Sequence, residues 1–219
     1  ANLVRRHNGD LFAWATNYAD TYQRTPTCLT SWSRDSGRTW SASQESPYGD
    51  IVVKRKNGDL VWLPYNLYHR PEGMGGDYRF LPAAGQAFRN ETSGLVITGL
   101  PRADRRKPEH PDLAGFVFNG DSISASDHGY LATLYGTFAG EKRSALLLAH
   151  SNTGLRWHIR SIIADKNSEL PGESGPSESS LCRLKDGRLM CVFRSKSYVK
   201  YTQSFSSDDG KTWSAPQQM

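Results

Sequence analysis

A glutamate and an arginine lie at the two open ends of one short hairpin in this sequence. Glu178 comes before an apolar run, Arg194 ends the next one, and Asp186-Gly187 marks the turn between them. Because an antiparallel hairpin brings the start of its first strand beside the end of its second, we expect both side chains at one edge. A carboxylate can take up a proton, and the planar guanidinium group can hold a second carboxylate by two hydrogen bonds. The pair therefore suits chemistry on an acidic ligand.

More polar residues are expected at the same edge. Asp50 and Asp121 each begin an inner strand, as Glu178 does, and Tyr65 opens a long polar segment that follows a strand. Loops on a rigid scaffold often carry function, so we take these three as candidate ligand-binding residues. The alternative for each aspartate is a turn residue at a strand entry. Glu173 is a rival for Glu178, but it lies among glycine, proline and serine rather than beside the strand.

A hairpin that recurs four times positions these residues. An alternating apolar run, a turn with glycine and a second apolar run repeat around Gly9, Gly58, Gly129 and Gly187. Asn-Gly or Asp-Gly between alternating runs is a strong sign of a two-residue hairpin turn. We therefore predict an all-β fold, a β-propeller of four-stranded antiparallel blades. The predicted blades cover residues 1–47, 48–100, 115–166 and 177–219.

A second motif follows the hairpins. Residues 33–40 and 206–213 fit the pattern S-x-D-x-G-x-T-W, and residues 150–157 are a worn copy that keeps the glycine and the tryptophan. The short aspartate can accept hydrogen bonds from its own turn, and glycine allows a backbone conformation that other residues resist. Since an active-site residue is not expected on several repeats, we interpret the motif as structural. Its positions are Asp35, Gly37, Trp40, Asn152, Gly154, Trp157, Asp208, Gly210 and Trp213.

The composition excludes several classes of protein. With 219 residues, of which 37% are hydrophobic, the chain is long enough for a sizeable core, and no apolar run approaches the ~20 residues that cross a bilayer. A net charge of +5 suits an acidic ligand, but no basic helix supports nucleic-acid binding. Three cysteines are too few for a disulfide scaffold, and no Cys/His spacing suits a zinc site. We predict no cofactor and assign no metal ligand.

Two of the cysteines face each other if Asp186-Gly187 is a two-residue turn. A disulfide between Cys182 and Cys191 would imply an oxidising compartment, and two reduced core thiols are the alternative. Cys28 has no visible partner. The location of the protein stays open, with a secreted or periplasmic one favoured.

The repeated motifs resemble the Asp-box (BNR) repeats of the sialidase superfamily, over nearly the whole chain. Residues 177–194 are similar to the sialidase segment in which a glutamate precedes an innermost strand and an arginine ends the next. The resemblance implies that Glu178 polarises a tyrosine nucleophile and that Arg194 is one of three arginines that clamp the sialic acid carboxylate. It also implies a general acid/base aspartate in the first-blade loop, where Asp20 lies, and a substrate contact at Asp50.

This resemblance implies a retaining glycoside hydrolase that cleaves a terminal acidic sugar of the sialic acid type from glycoconjugates. Sialidases of this type have six blades, so we expect one partial propeller domain with about four of the six. The tyrosine nucleophile and two of the arginines then fall outside residues 1–219. We expect the chain to be part of a longer protein and inactive alone, with a glycan and the remaining blades as its partners.

Other functions remain open because the Asp-box motif is not specific for sialidases. One alternative is another glycosidase or a polysaccharide lyase, and a lyase would give Tyr68 and His69 the roles of acid and base. The other alternative is a non-catalytic propeller that binds a glycan or a protein.

Overall fold

The fold is described from a computed structural model of the chain, which covers residues 2–16, 27–47, 49–92, 94–100, 113–195 and 200–219. These residues form strands and turns without any helix, so the predicted all-β class is confirmed. None of them belongs to a helix with the length and apolar character needed to span a membrane.

Nineteen strands follow one another along the described chain. They are β1 (Asn2–Arg5), β2 (Leu11–Thr16), β3 (Thr27–Ser33), β4 (Gln44–Pro47), β5 (Gly49–Lys54), β6 (Leu60–Pro64), β7 (Asn66–Arg70), β8 (Gly73–Gly75), β9 (Tyr78–Leu81), β10 (Arg89–Glu91), β11 (Val96–Thr98), β12 (Leu113–Ser124), β13 (Tyr130–Gly136), β14 (Ala145–Ser151), β15 (Arg156–Ala164), β16 (Ser179–Arg183), β17 (Leu189–Phe193), β18 (Thr202–Ser206) and β19 (Gln217–Gln218).

The strands form three four-stranded sheets and one closed barrel. The first sheet has the order β1-β2-β3-β4, the second β10-β9-β6-β5 and the third β16-β17-β18-β19. The other seven strands close into a barrel in the order β11-β15-β14-β13-β12-β7-β8, with β8 paired back to β11. All pairings are antiparallel except that of β11 with β15.

The predicted arrangement as four equivalent blades of a six-bladed propeller is therefore wrong. The segment after Tyr65, expected to be a loop, forms the hairpin of β7 and β8. The long strand β12 pairs with β13 on one side and with β7 on the other, and its pairing with β13 shifts register between Phe118 and Ser122. The strand β11 then connects β8 to β15. These added pairings close a seven-stranded barrel where the repeat alone indicates a four-stranded sheet.

The four repeated hairpins share a loop of five residues, not of two. The last strand pairs before the loops are Arg5–Leu11, Lys54–Leu60, Ser124–Tyr130 and Arg183–Leu189. The fourth loop residue has a positive φ in every copy, at Gly9, Gly58, His128 and Gly187. Glycine adopts this conformation without steric cost, which explains its place in three of the four loops.

The longer loop changes the expected pairing of the cysteines by one residue. Leu181 lies opposite Cys191, and Cys182 lies opposite Met190. Because successive residues of a strand point to opposite faces, Cys182 and Cys191 do not face each other as predicted. All three cysteines are free thiols. Burial raises the pKa of Cys28 to about 11, and it also raises the pKa of Cys191.

Consecutive sheets share apolar cores, and these cores place the inner strands side by side. Phe12 of β2 packs with Trp62 of β6 between the first and second sheets. Val53 of β5 and Trp157 of β15 belong to the core between the second sheet and the barrel, and a third core joins β14 to β17. Strand β12 contacts both β5 and β16. The starts of β5 and β16 thus meet across β12.

Candidate functional site

Glu178 and Arg194 form an ion pair at the edge of the third sheet. Arg194 Nη1 donates to Glu178 Oε2 at 2.6 Å. The Arg194 amide donates to the Glu178 carbonyl at 2.9 Å, and the Ser177 amide donates to the Arg194 carbonyl at 2.8 Å, so the backbone holds the pair in place. The side chains of Arg194 and Glu178 remain 41% and 45% exposed, so a ligand can reach both.

Two tyrosines approach each other beside this pair. Tyr65 follows β6 and Tyr135 lies on β13, and their hydroxyl oxygens are 3.4 Å apart. Since the usual O–H···O distance is about 2.7 Å, this contact is longer than an ordinary hydrogen bond between two hydroxyls.

Neighbouring charges and burial control the protonation of these tyrosines. Burial raises the pKa of Tyr65, and the neighbouring Tyr135, Asp50 and Glu178 raise it further. Burial also raises the pKa of Tyr135; Glu178 and Asp50 add to this shift, and Arg194 opposes it. Both hydroxyls therefore stay protonated near neutral pH and can donate a hydrogen bond. The mutual influence also shows that the five side chains form one electrostatic cluster.

Asp50 joins the cluster from the start of β5 and is only 6% exposed. Its Oδ2 atom accepts hydrogen bonds from Asn119 Nδ2 at 2.8 Å and from the Gly120 amide at 3.0 Å. The Oδ1 atom of Asn119 accepts a hydrogen bond from the Ser179 amide at 2.9 Å. Asn119 of β12 therefore links Asp50 to the residue next to Glu178.

Gly120 allows the inner strands to approach this closely. Its φ is +90°, and a Cβ atom at this position would lie 2.2 Å from the Ser179 carbonyl oxygen. Thr133 Oγ1 donates to the Asn119 carbonyl at 2.6 Å and lies 3.0 Å from Ser179 Oγ. The second sheet, the barrel and the third sheet are thus joined directly below the Glu178–Arg194 pair.

The remaining predicted site residues lie elsewhere. Asp20 is outside the described residues. Asp121 is exposed on β12 and lines, together with Asp50, a cavity of about 720 Å³ between the inner strands. Glu173 is exposed and lies before the hairpin that carries Arg194.

The pair required for a lyase is not formed by Tyr68 and His69. These residues are neighbours on β7. Because adjacent side chains of a strand point to opposite faces, a base and an acid at these two positions cannot act on one sugar ring together.

The Asp-box residues make local hydrogen bonds at the opposite ends of the strands. Asp35 Oδ1 accepts from Ser33 Oγ at 2.8 Å and from the Thr39 amide at 2.9 Å, and its Oδ2 accepts from Thr39 Oγ1 at 2.6 Å. Asp208 makes the same contacts with Ser206 and Thr212. In both turns, the glycine amide donates to the first serine at 2.8 Å. The two intact motifs thus fold into one turn structure.

The worn motif folds differently around Asn152. Ser151 Oγ, rather than the residue at the first motif position, accepts from the Gly154 amide at 2.8 Å. The indole of Trp157 donates to the Gly154 carbonyl at 3.0 Å and is buried. Trp40 makes the same type of bond to Gly37 at 3.2 Å but stays 43% exposed, whereas Trp213 donates to Ser161 Oγ of β15 at 3.0 Å.

Sequence reasoning missed Tyr135 and Asn119. Tyr135 is the last but one residue of a strand, and nothing in the local sequence connects it to Tyr65, which lies 70 positions away. Asn119-Gly120 does carry a signal, because this dipeptide interrupts the apolar alternation of β12. In the described part of the chain, no group of three or more His, Cys, Asp or Glu side chains is arranged to hold a metal ion.

The fold and the repeated turns define a protein of the sialidase/BNR-repeat superfamily, and comparison with known proteins gives the family. The family model of the BNR repeat-like domain matches residues 103–219, which is more than half of the chain. The chain belongs to this family, and the resemblance drawn from the Asp-box motifs is confirmed. A comparison with curated proteins finds no match.

Several solved structures share the fold at low sequence identity. A protein of unknown function from Dyadobacter fermentans has a TM-score of 0.72 at 14% identity, over 99% of this chain and 67% of its own. The Hadza microbial sialidase Hz136 has a TM-score of 0.67 at 15% identity, over 97% of this chain and 45% of its own. The α-L-arabinofuranosidase Arb93A from Fusarium graminearum has a TM-score of 0.58 at 12% identity, over 99% of this chain and 65% of its own. The chain therefore spans about two thirds of the first structure and less than half of the sialidase.

Proposed function

We propose that this chain carries part of the active site of a glycoside hydrolase that cleaves a terminal acidic sugar, of the sialic acid type, from glycoconjugates. The observation that carries the proposal is the half-exposed ion pair of Glu178 and Arg194, together with Tyr65 and Tyr135, whose hydroxyls feel the charges of Glu178 and Asp50. Superfamily membership supports it, and so does the fold shared with a sialidase and an arabinofuranosidase.

The charges of the pair suit an acidic sugar. The planar guanidinium group of Arg194 can bind the carboxylate of the sugar. Arg194 then exchanges the carboxylate of Glu178 for that of the ligand. An exposed ion pair contributes only about 0–1 kcal/mol to stability, so the fold has little need of this pair and a ligand can rearrange it at low cost. The hydroxyl of Tyr135, which accepts from Tyr65 in their mutual contact, can donate a hydrogen bond to the same ligand.

Glu178 is the proton acceptor in this proposal. Retaining sialidases use a tyrosine nucleophile, which is neutral and avoids repulsion by the substrate carboxylate, and a carboxylate must take its proton. The assignment of the nucleophile follows the resemblance to sialidases, in which it belongs to a later part of the fold than this hairpin. We place the nucleophile outside residues 1–219, and Asp20 keeps the proposed role of general acid/base.

Hydrolysis of a fluorogenic sialoside by the full-length protein tests this function. We expect Glu178→Gln to lower kcat by at least about 100-fold, since general acid–base catalysis contributes about 10²–10⁴-fold. Glu173→Gln is the matched control, because Glu173 is an exposed glutamate that lies five positions earlier and outside the hairpin. Absence of turnover by the folded wild-type protein, or equal turnover by the Glu178→Gln protein, would overturn the proposal.

A further inference from the structure

A run of three basic residues leads into two of the four repeated hairpin turns. Residues 5–10 read Arg-Arg-His-Asn-Gly-Asp, and residues 54–59 read Lys-Arg-Lys-Asn-Gly-Asp. We call these two segments the basic loops, and together they hold five arginines and lysines against two aspartates. They lie at the ends of the strands opposite to Glu178 and Arg194, so their charge is separate from that of the candidate site.

Contacts between the basic loops hold them side by side. Lys54 Nζ donates to the Arg5 carbonyl at 2.8 Å, and a Cβ atom at Gly58 would lie 3.5 Å from the ring of His7. Arg6 is buried, and its Nη2 atom donates to a backbone carbonyl after β9 at 2.7 Å, which fixes the first loop to the second sheet. The basic side chains of two sheets are therefore gathered on one surface.

Neighbouring carboxylates do not neutralise the charge of the basic loops. Arg6 Nη1 lies 3.8 Å from Asp10 Oδ2, but Arg5, Lys54 and Lys56 are exposed. Within the described residues, none of these three forms an ion pair. Arg5 Nη1 donates to a backbone carbonyl of its own loop at 3.4 Å, and the bond from Lys54 also goes to a carbonyl. Three exposed cations thus remain for an anionic ligand.

The other two hairpin loops show the opposite arrangement. At the third loop, Arg160 Nη2 donates to Asp127 Oδ2 at 2.8 Å. At the fourth loop, Arg183 Nη2 donates to Asp209 Oδ1 at 2.5 Å. Because these arginines have carboxylate partners within the fold, the uncompensated positive charge at this end of the strands is concentrated on the basic loops.

The basic loops border a cavity large enough for a sugar unit. Lys54, Arg55 and Lys56 line the cavity of about 720 Å³ that Asp50 and Asp121 also line, and a volume of about 300–1,000 Å³ is usual for small-ligand sites. Asp50 lies four residues before Lys54, which is about 13 Å along a strand, and two donors from β12 bind its carboxylate. The lysine end of this cavity is therefore the end that attracts an anion.

Separate ammonium groups suit a ligand with several sulfate groups. Each lysine is a compact charge with three hydrogen-bond donors, and each sulfate group has several terminal oxygens that accept hydrogen bonds. The planar fork of Arg194, by comparison, matches the two oxygens of one carboxylate. The basic loops contain no Phe, Tyr or Trp, so they offer no ring of the kind on which single-stranded nucleic acids stack their bases.

We propose that the basic loops bind a sulfated glycan chain, at the opposite end of the strands from the candidate site. No residue of the basic loops belongs to the candidate site, so this binding does not depend on the proposed hydrolase activity. A glycan held by the basic loops leaves the Glu178–Arg194 pair accessible to a second glycan.

Calorimetric titration of the chain with a heparin-derived tetrasaccharide tests the proposal without any need for catalysis. We expect Lys56→Gln to weaken binding about fivefold, as for the loss of one cation near an anionic surface, and Lys56→Arg to keep the wild-type affinity. Lys185→Gln is the matched control, because Lys185 is an exposed lysine at the same position of the fourth hairpin loop. The same tetrasaccharide without its sulfate groups keeps its carboxylates, and we expect it to bind at least about tenfold more weakly.

Arg194→Met in the same titration separates this site from the candidate active site. Affinity that falls in Lys54→Gln and Lys56→Gln but survives Arg194→Met and Lys185→Gln supports the basic loops, whether or not the protein hydrolyses a sialoside. Equal losses in Lys56→Gln and Lys185→Gln would mean that the tetrasaccharide responds only to net charge, and they would overturn the proposal. Absence of binding, equal affinity for the desulfated tetrasaccharide, or tighter binding of a single-stranded RNA oligonucleotide would also overturn it.

Discussion

The two edges of the sheets use the same polar residue types in different ways. At the turn edge, which carries the Asp-box turns and the repeated hairpin loops, the partners of Asp208 all lie within residues 206–212. At the site edge, which carries Glu178, Arg194, Asp50 and the two tyrosines, the contacts join residues up to 70 positions apart. Local partners hold the aspartates of the two intact Asp-box turns, although Trp213 of one turn also reaches Ser161 of β15. The site edge, by contrast, exists only after the sheets have packed.

The edges also differ in how much hydrogen-bonding capacity they leave for a ligand. Asp35 accepts three hydrogen bonds from its own turn, so its oxygens are occupied. The Glu178–Arg194 pair, by contrast, remains half exposed. The Asp-box turns therefore offer a ligand less than the site edge does, although they hold carboxylates in regular positions.

The largest expected effect comes from filling the tight contact below the site edge. Gly120→Ala places a Cβ atom 2.2 Å from the Ser179 carbonyl oxygen at a φ of +90°, and we expect it to lower the free energy of unfolding by at least about 3 kcal/mol. Gly9→Ala is the control at the turn edge, because Gly9 has a φ of +93° and no atom within 4 Å. It carries only the backbone cost, about 1 kcal/mol. Denaturant unfolding measures the free energy of unfolding of both variants. Equal losses of this free energy would show that the site edge is no more tightly packed than the turn edge.

Substitution of Arg194 in the exposed ion pair should have a smaller effect, and on substrate binding rather than on stability. Arg194→Met should raise the KM for a sialoside about 100-fold in the full-length protein, and Arg194→Lys about tenfold, because lysine keeps the charge but loses the planar fork. The matched control is Arg188→Met at the turn edge of the same hairpin, where Arg188 pairs with Asp186 at 2.8 Å with similar exposure.

Both arginine pairs should contribute little to stability, since solvent screens exposed ion pairs. Steady-state kinetics gives the KM of each variant and denaturant unfolding gives its stability, so the two measurements separate ligand binding from folding. A KM that is unchanged in Arg194→Met, or that rises equally in Arg188→Met, would contradict the assignment of Arg194 to ligand binding.

The same contrast explains what the sequence could predict. Glu178 and Arg194 were predictable because one hairpin joins them, and the Asp-box turns because each is complete within eight residues. The barrel was not predictable, because it depends on pairings such as Ile97 with Met74 that join distant segments without a local signal. The predicted pairing of Cys182 with Cys191 was also wrong, because Asp-Gly indicates a turn but does not fix whether the loop has two residues or five.

The contact of Tyr65 with Tyr135 shows the same limit within the site. Each tyrosine lies near the end of its own strand, but only the packing of the second sheet on the barrel brings their hydroxyls together. The sequence predicts Tyr65 as a ligand-binding candidate but not Tyr135. A polar segment can be recognised as accessible from its residues alone, but its residues do not show which other side chains it faces.

The smallest expected effect is on stability. It comes from the charged aspartates of the Asp-box turns, and it depends on pH. Hydrogen bonds from Thr39 and Ser33 lower the pKa of Asp35 to about 2, compared with about 3.9 in an unfolded chain. Hydrogen bonds from Thr212 and Ser206 likewise lower the pKa of Asp208. Because the folded state favours the ionised form, both aspartates stabilise the fold fully above about pH 4, and this stability is lost as the pH falls toward about 2.

Thermal unfolding of Asp35→Asn and Asp208→Asn proteins at several pH values measures this contribution. We expect the melting temperature of each variant to be lower than that of the wild type at pH 7 and to approach it as the pH falls below about 4. Glu173→Gln, which removes an exposed carboxylate away from any Asp-box, should show no such convergence. A difference in melting temperature that stays constant from pH 7 to about pH 2 would mean that the turn depends on the shape of the aspartate and not on its charge, and the two edges would then differ only in where their partners lie.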